Sequence, residues 1–181
     1  MQWTDVLATR MSRMKASEIR ELLKLLDQPD IISFAGGIPD PALFPAKAYA
    51  EAFTEALTES AGAALQYSVS EGYRPLRDWL VAHMAQIGIP CAAENILITS
   101  GSQQALDYLG KLMLSPNDTA MVGWPTSLGA LGAFNAYEPT YGDLDGDAPA
   151  GARLAYLVPD FANPSGRTMT RRAREAPLDS A

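Results

Sequence analysis

Three stretches combine residue types that could hold a small ligand. The first is ITSGSQQALD, residues 98–107. An apolar run gives way to Thr-Ser-Gly-Ser-Gln-Gln, and an amphipathic helix follows at once. The first amide N–H groups of a helix lack intrahelical acceptors, and the helix dipole favours an anion there. Gly101 lets a backbone come close to a ligand. Ser102 adds a hydroxyl donor, and its amide can act with that of Gln103. Two readings stand: a cradle for a phosphate, or a strand-to-helix turn that Ser102 merely caps. The second stretch is VPDFANPSGRTMT, residues 158–170. Asn163 is either part of an ordinary Asn-Pro turn or a side-chain amide aimed into a crevice. Donor and acceptor in one group suit a phenolate or a carboxylate. The third is LQYSVSEGYRPLRDW, residues 65–79. Tyr67 is either a packing residue or a donor to phosphate.

The elements that must position these residues follow from periodicity. Residues 17–26 place Ile19, Leu22, Leu23 and Leu26 on one helical face behind a Ser17 cap. Glycine at 36 and 37 and proline at 39, 41 and 45 make an irregular loop. Helices are expected over 46–59 and 75–88, with a turn-rich connector between them. Next come a strand at 95–99 and a helix at 102–114, with Ala105, Leu106, Leu109, Leu112 and Met113 on its inner face. A strand at 119–124, a helix at 126–136, an extended piece at 138–144 and a strand at 153–160 complete the pattern. Alternating strands and helices predict an α/β fold: a mostly parallel sheet with flanking helices. Ligands in such sheets sit beyond the C-terminal ends of the strands. One link is anomalous. Only DGDAPAGA separates YGDL from RLAYL, whereas a parallel crossover normally needs a dozen residues or more. Either these two strands are not simple neighbours, or a helix is missing.

Composition bounds the function. The chain has 181 residues, 48% hydrophobic and 19% charged, which is globular and not disordered. Its net charge of -7 and pI near 4.6 argue against a nucleic-acid partner. One cysteine, Cys91, permits no internal disulfide and no metal cluster. No apolar run is long enough for a membrane span, and the N-terminus lacks a signal-peptide core. The expectation is a soluble, cytoplasmic protein without metal or membrane.

Taken together, the stretches carry a resemblance. IRELLK (19–24), ISFAGGIPDPALFP (32–45), ALQYSVSEGYRPLR (64–77), ITSGSQQALD (98–107) and VPDFANPSG (158–166) occur in family order and at roughly family spacing. The chain resembles the N-terminal part of a class I, fold type I aminotransferase dependent on pyridoxal 5'-phosphate (PLP), in the 2-aminoadipate and kynurenine branch. The resemblance implies a partial PLP-transferase large domain over 46–170, preceded by an N-terminal helical arm and small-domain segment over 1–45 and followed by an atypical tail, 171–181. It implies that Gly101, Ser102 and Gln103 hold the cofactor phosphate and that Asn163 contacts O3' of its ring. It further implies that Tyr67 reaches the phosphate in a neighbouring subunit, hence a homodimer. Gly37 resembles a backbone position in the substrate pocket. Arg20 resembles an arginine that reads the distal group of the substrate, an amino acid or 2-oxo acid.

The family pattern also breaks. Transamination needs a lysine to form the Schiff base and move the proton, and the family places it after the NPxG segment. This sequence ends fifteen residues beyond Gly166, and its lysines are Lys15, Lys24, Lys47 and Lys111. None stands at the family position, so no catalytic residue is assigned. Ser127 occupies a place where the family usually stacks an aromatic on the cofactor ring, a loss of about 1–3 kcal/mol in binding. Trp124 is three residues away and is not taken as its substitute. The segment before Arg153 is short, and RRAREAPLDSA turns Arg- and Ala-rich where the family continues a regular amphipathic helix. Three functions follow: an aminotransferase-family chain, truncated and inactive alone; a non-catalytic PLP- or phosphate-binding or dimerising module; or a fragment with an exposed half-core.

Overall fold

The computed structural model describes residues 3–14, 37, 39–146 and 151–179. They fall in two compact units, one built from the N-terminal residues through 18 with 100–181, the other from 19–99. The expected helix at 17–26 and most of the glycine- and proline-rich loop lie outside the described residues.

Helices α1 (Ala46–Glu59) and α2 (Arg74–Gln86) belong to the second unit, and α3 (Ser102–Met113) opens the main run of the first. It is followed by β1 (Thr119–Val122), α4 (Leu128–Asn135), β2 (Thr140–Asp143), β3 (Leu154–Tyr156) and α5 (Arg171–Asp179). The three strands form a parallel sheet in the order β2-β1-β3. Thr119 pairs with Thr140 on one side, and Ala120 with Leu154 on the other. The central strand has to be apolar on both faces, as the run Ala120-Met121-Val122 is, and all three residues are buried.

The short link before Arg153 is explained by this order. β2 and β3 are not neighbours; they flank β1. Ten residues, 144–153, separate their ends. Fully extended, ten residues reach about 33 Å. The span back along a four-residue strand and across two strand spacings is only about 16 Å. No crossover helix is required.

α4 bridges β1 and β2 and fills the core. Ala130, Ala133 and Phe134 are buried against Leu114 and Ala120, with Leu106, Tyr137, Leu154 and Tyr156 around them. The Phe134 and Tyr156 rings meet edge to face at 6.2 Å. α3 packs here through Leu106 and Gly110. A Cβ on Gly110 would lie 2.8 Å from the Tyr137 ring, so glycine sets how closely the helix approaches. The expected inner face of α3 was too wide. Leu109, Leu112 and Met113 are 47%, 78% and 47% exposed, because α4 and Tyr137 cover only the flank that carries Leu106 and Gly110.

The expected strand at 95–99 is absent. Ala93–Asn95 form a 3-10 turn, Ile96 after it is extended, and 96–99 join no ladder among the described residues. Ile98 N–H donates to Glu71 O at 3.0 Å, a bond within the second unit. An apolar pentapeptide becomes a strand only beside a partner. β1 and β3 are also shorter than expected; β3 ends where the β1 register ends, and Pro159 has no N–H to extend it.

The second unit holds α1, a single turn at Ala61–Ala64, and α2. Arg77 of α2 is buried and donates to the carbonyl of Ala93, tying α2 to the 93–95 turn. No helix of the described residues is long and apolar enough to cross a membrane.

Candidate functional site

The junction before α3 is built around Gly101. It is the N-cap, at φ +86°, and no side chain caps the helix there. That backbone conformation suits glycine, and a Cβ on it would meet nothing within 4 Å. Ser102 is therefore the first helical residue and not the cap. Among the described residues its hydroxyl takes no hydrogen bond. The capping reading of Ser102 falls, since its side chain is not spent on the helix. Gln104 instead turns back, its Oε1 accepting from Ser100 N–H at 2.6 Å. The Gln103 side chain donates to Gly129 O at 2.9 Å, which fixes the start of α4 against the start of α3. One donor of the Gln103 amide is thus committed to α4.

Asn163 sits on a loop that leaves β3. Leu157 to Pro159 carry the chain past the end of the sheet, and the loop runs to Thr170, the cap of α5. Thr170 Oγ1 accepts from Ala173 N–H at 3.3 Å. Inside the loop, Gly166 N–H donates to Ala162 O at 2.6 Å and Ala162 N–H to Arg167 O at 2.9 Å. Asn163 lines a pocket of about 200 Å³ beyond the C-terminal ends of β1 and β3. Trp124, Leu144, Tyr156, Val158 and Met169 supply its apolar wall. The peptides Trp124–Pro125 and Asn163–Pro164 are both cis.

The pocket's surroundings set its electrostatics. Asp160 and Arg174 form an ion pair, 2.6 and 3.1 Å, that holds the Asp160 carboxyl below its usual range. Behind Trp124, whose ring meets Tyr141 edge to face, burial pushes the Tyr141 phenol up to about 12, with Arg13 opposing. Its hydroxyl donates to Asn135 Oδ1 at 2.8 Å. Ser127 is the N-cap residue of α4, with no side-chain cap bond. Trp124 and Tyr156 are aromatics in the pocket wall, and Ser127 does not line it.

The structure does not gather every predicted residue. Asn163 lines the pocket; Gly101, Ser102 and Gln103 belong to the same unit, joined to α4 through Gly129, but do not line it. Tyr67, in the second unit, is 98% exposed, so it packs against nothing among the described residues of that unit. Gly37 is exposed, with open space where a Cβ would stand. Arg20 lies outside the described residues. Neither described lysine, Lys47 or Lys111, lines the pocket. Among the described residues no three His, Cys, Asp or Glu side chains group to hold a metal. Sequence reasoning missed Arg174 and Thr170, which organise the base of the Asn163 loop. The TRRAR run, 170–174, shows a basic helix start, and nothing in it tells that Arg174 reaches back to Asp160.

No family model matches the chain. It is 40% identical to an aromatic-amino-acid aminotransferase of Thermococcus litoralis, over 93% of this chain and 45% of that protein. It is 39% identical to the 2-aminoadipate transaminase of Thermus thermophilus, over 97% and 46%. The fold superposes with a TM-score of 0.82 on the α-aminoadipate aminotransferase LysN of Thermus thermophilus, complexed with N-(5'-phosphopyridoxyl)-L-leucine. That match is 37% identical and covers 99% of this chain and 47% of that one. The chain spans about half the length of the curated relatives it matches.

Proposed function

We propose that this chain, whose sequence and fold are those of about half of a class I, fold type I aminotransferase, supplies the phosphate- and O3'-facing part of a PLP site. The observation that carries this is Asn163, held on a defined loop at a pocket beyond the strand ends, in a fold matched at 37% identity by an enzyme crystallised with a phosphopyridoxyl compound. The junction at Gly101 fits the other end of the cofactor. It offers a glycine backbone with open space beside it and a serine hydroxyl not engaged by the helix.

On this reading the amides of Ser102 and Gln103 and the Ser102 hydroxyl donate to phosphate oxygens, aided by the α3 dipole. The Asn163 amide donates to the ring oxygen and favours its ionised form. Trp124 and the apolar wall exclude water from the ring. When bound, PLP supplies the electron sink through which an amino acid and a 2-oxo acid exchange an amino group. No described lysine lines the pocket, and none stands at the family position, so the chain alone is expected to transfer none. Exposed Tyr67 is the group that the resemblance assigns to a partner subunit's cofactor, which makes the assembled form a homodimer. Which amino acid is used turns on Arg20, Gly37 and residues beyond this chain's likeness.

The test is the visible spectrum with added PLP before and after borohydride, followed by a peptide map. Reversible binding with no covalent peptide is expected. A chain that leaves PLP unshifted overturns the binding; a reduced lysine adduct overturns the predicted inactivity.

A further inference from the structure

We propose that Arg174 is a positioning residue, which clasps the base of the 159–170 loop and thereby fixes Asn163 at the pocket. Its guanidinium reaches three stations at once. Nη1 and Nη2 donate to the two Asp160 carboxylate oxygens at 3.1 and 2.6 Å. Nη2 also donates to Pro159 O at 3.3 Å, and Nε to Met169 O at 3.2 Å. Pro159 and Met169 are the two ends of the loop, already joined by Met169 N–H to Pro159 O at 2.8 Å. One planar group therefore staples both strands of the neck.

The loop needs such a staple. Phe161 stands at φ +49°, a conformation costly for a residue with a Cβ, and its ring is 81% exposed. Packing does not hold it there. Asn163 follows two residues later. Arg174 itself is set by α5, since its N–H donates to Thr170 O at 3.1 Å and Thr170 Oγ1 caps the helix. A solitary surface ion pair contributes little. Here a bidentate pair and two carbonyls converge on one rigid fork, a geometry that lysine cannot copy. The role is placement of a ligand-binding amide, not bulk stability.

For its ligand this proposal rests on the cofactor reading above. Arg174→Gln and, from the other side of the pair, Asp160→Asn are compared with the parent chain, with Arg174→Lys replacing any variant whose melting shows it unfolded. In ligand-free protein, trypsin cleavage after Arg167 is expected to quicken about tenfold as the neck opens. In PLP titrations the affinity is expected to fall about tenfold, as for partners that orient a ligand group elsewhere. The pH at which the bound cofactor's phenol ionises is expected to rise, because a misplaced Asn163 no longer favours the ionised form; a purely structural role leaves that pH unchanged. Unaltered cleavage in both variants overturns the clasp, whatever the cofactor does. Faster cleavage with unaltered affinity and phenol titration overturns its link to Asn163. A parent chain that takes up no PLP overturns the cofactor reading, and the cleavage rates then still decide the clasp.

Discussion

Ser102 shows how one residue separates two chemistries. A serine before an apolar run is a good cap in sequence terms, yet Gly101 is the N-cap and Ser102 the first helical residue. Ser102→Ala is therefore expected to change unfolding free energy by less than ~0.5 kcal/mol, where loss of a cap costs about 1 kcal/mol. The same variant is expected to bind PLP about tenfold more weakly, a charge-assisted bond being lost. Urea unfolding and a PLP titration on one preparation check both. Gly101→Ala is the converse case. Space is open there, so the cost is backbone conformation alone, about 1–2 kcal/mol, read by the same unfolding curve. Tyr141 predicts an alkaline limb. Its folded pKa, about 12, lies above the ordinary 10.0, so the native state holds the proton longer than the unfolded chain. Its contribution is complete below pH 10 and is lost as pH rises toward about 12. Urea midpoints across that window are expected to fall in the parent and to fall less in Tyr141→Phe.

At the scale of elements, α3 carries the most information. Its apolar arc predicts a buried helix, and only the flank of half-buried Leu106 and buried Gly110 meets the core. Gly110→Ala tests that contact. The new methyl would stand 2.8 Å from the Tyr137 ring and 3.3 Å from Phe134, in a core with no slack, so a loss of about 1–3 kcal/mol is expected in thermal or urea unfolding. The helices were legible because a 3.6-residue period is a local property: α1 falls on the expected 46–59, and α2 and α4 within two residues of expectation. The strands were less so. NILIT reads as a strand in any window, yet it forms no ladder among the described residues; Ile98 N–H donates instead to Glu71 O. β3 reads as eight residues and pairs over three. Pairing is decided by another segment, which a window does not contain.

For the whole molecule, the outer face of α3 is the feature to explain. Leu109, Leu112 and Met113 stand exposed on one flank, a patch of the kind that marks contact surfaces or aggregation. The protein is expected to self-associate as its concentration rises. Leu109→Gln with Leu112→Gln is expected to raise the monomer fraction in light scattering without lowering the melting temperature, because neither side chain packs against the core. A melting loss instead would show that the face is buried in solution.

What the sequence determined by itself is the order of parts and their chemistry: a glycine-serine junction at a helix start, an asparagine beyond a strand, an α/β alternation, and kinship with aminotransferases. These depend on residue type and short spacing. Only the tertiary structure decided that β2 and β3 flank β1, that Ser102 is released from capping, that Trp124 and not Ser127 faces the Asn163 pocket, and that Arg174 closes that loop. Each of these is a contact between segments distant in the chain or a backbone angle set by such contacts, and no local pattern of side chains encodes it.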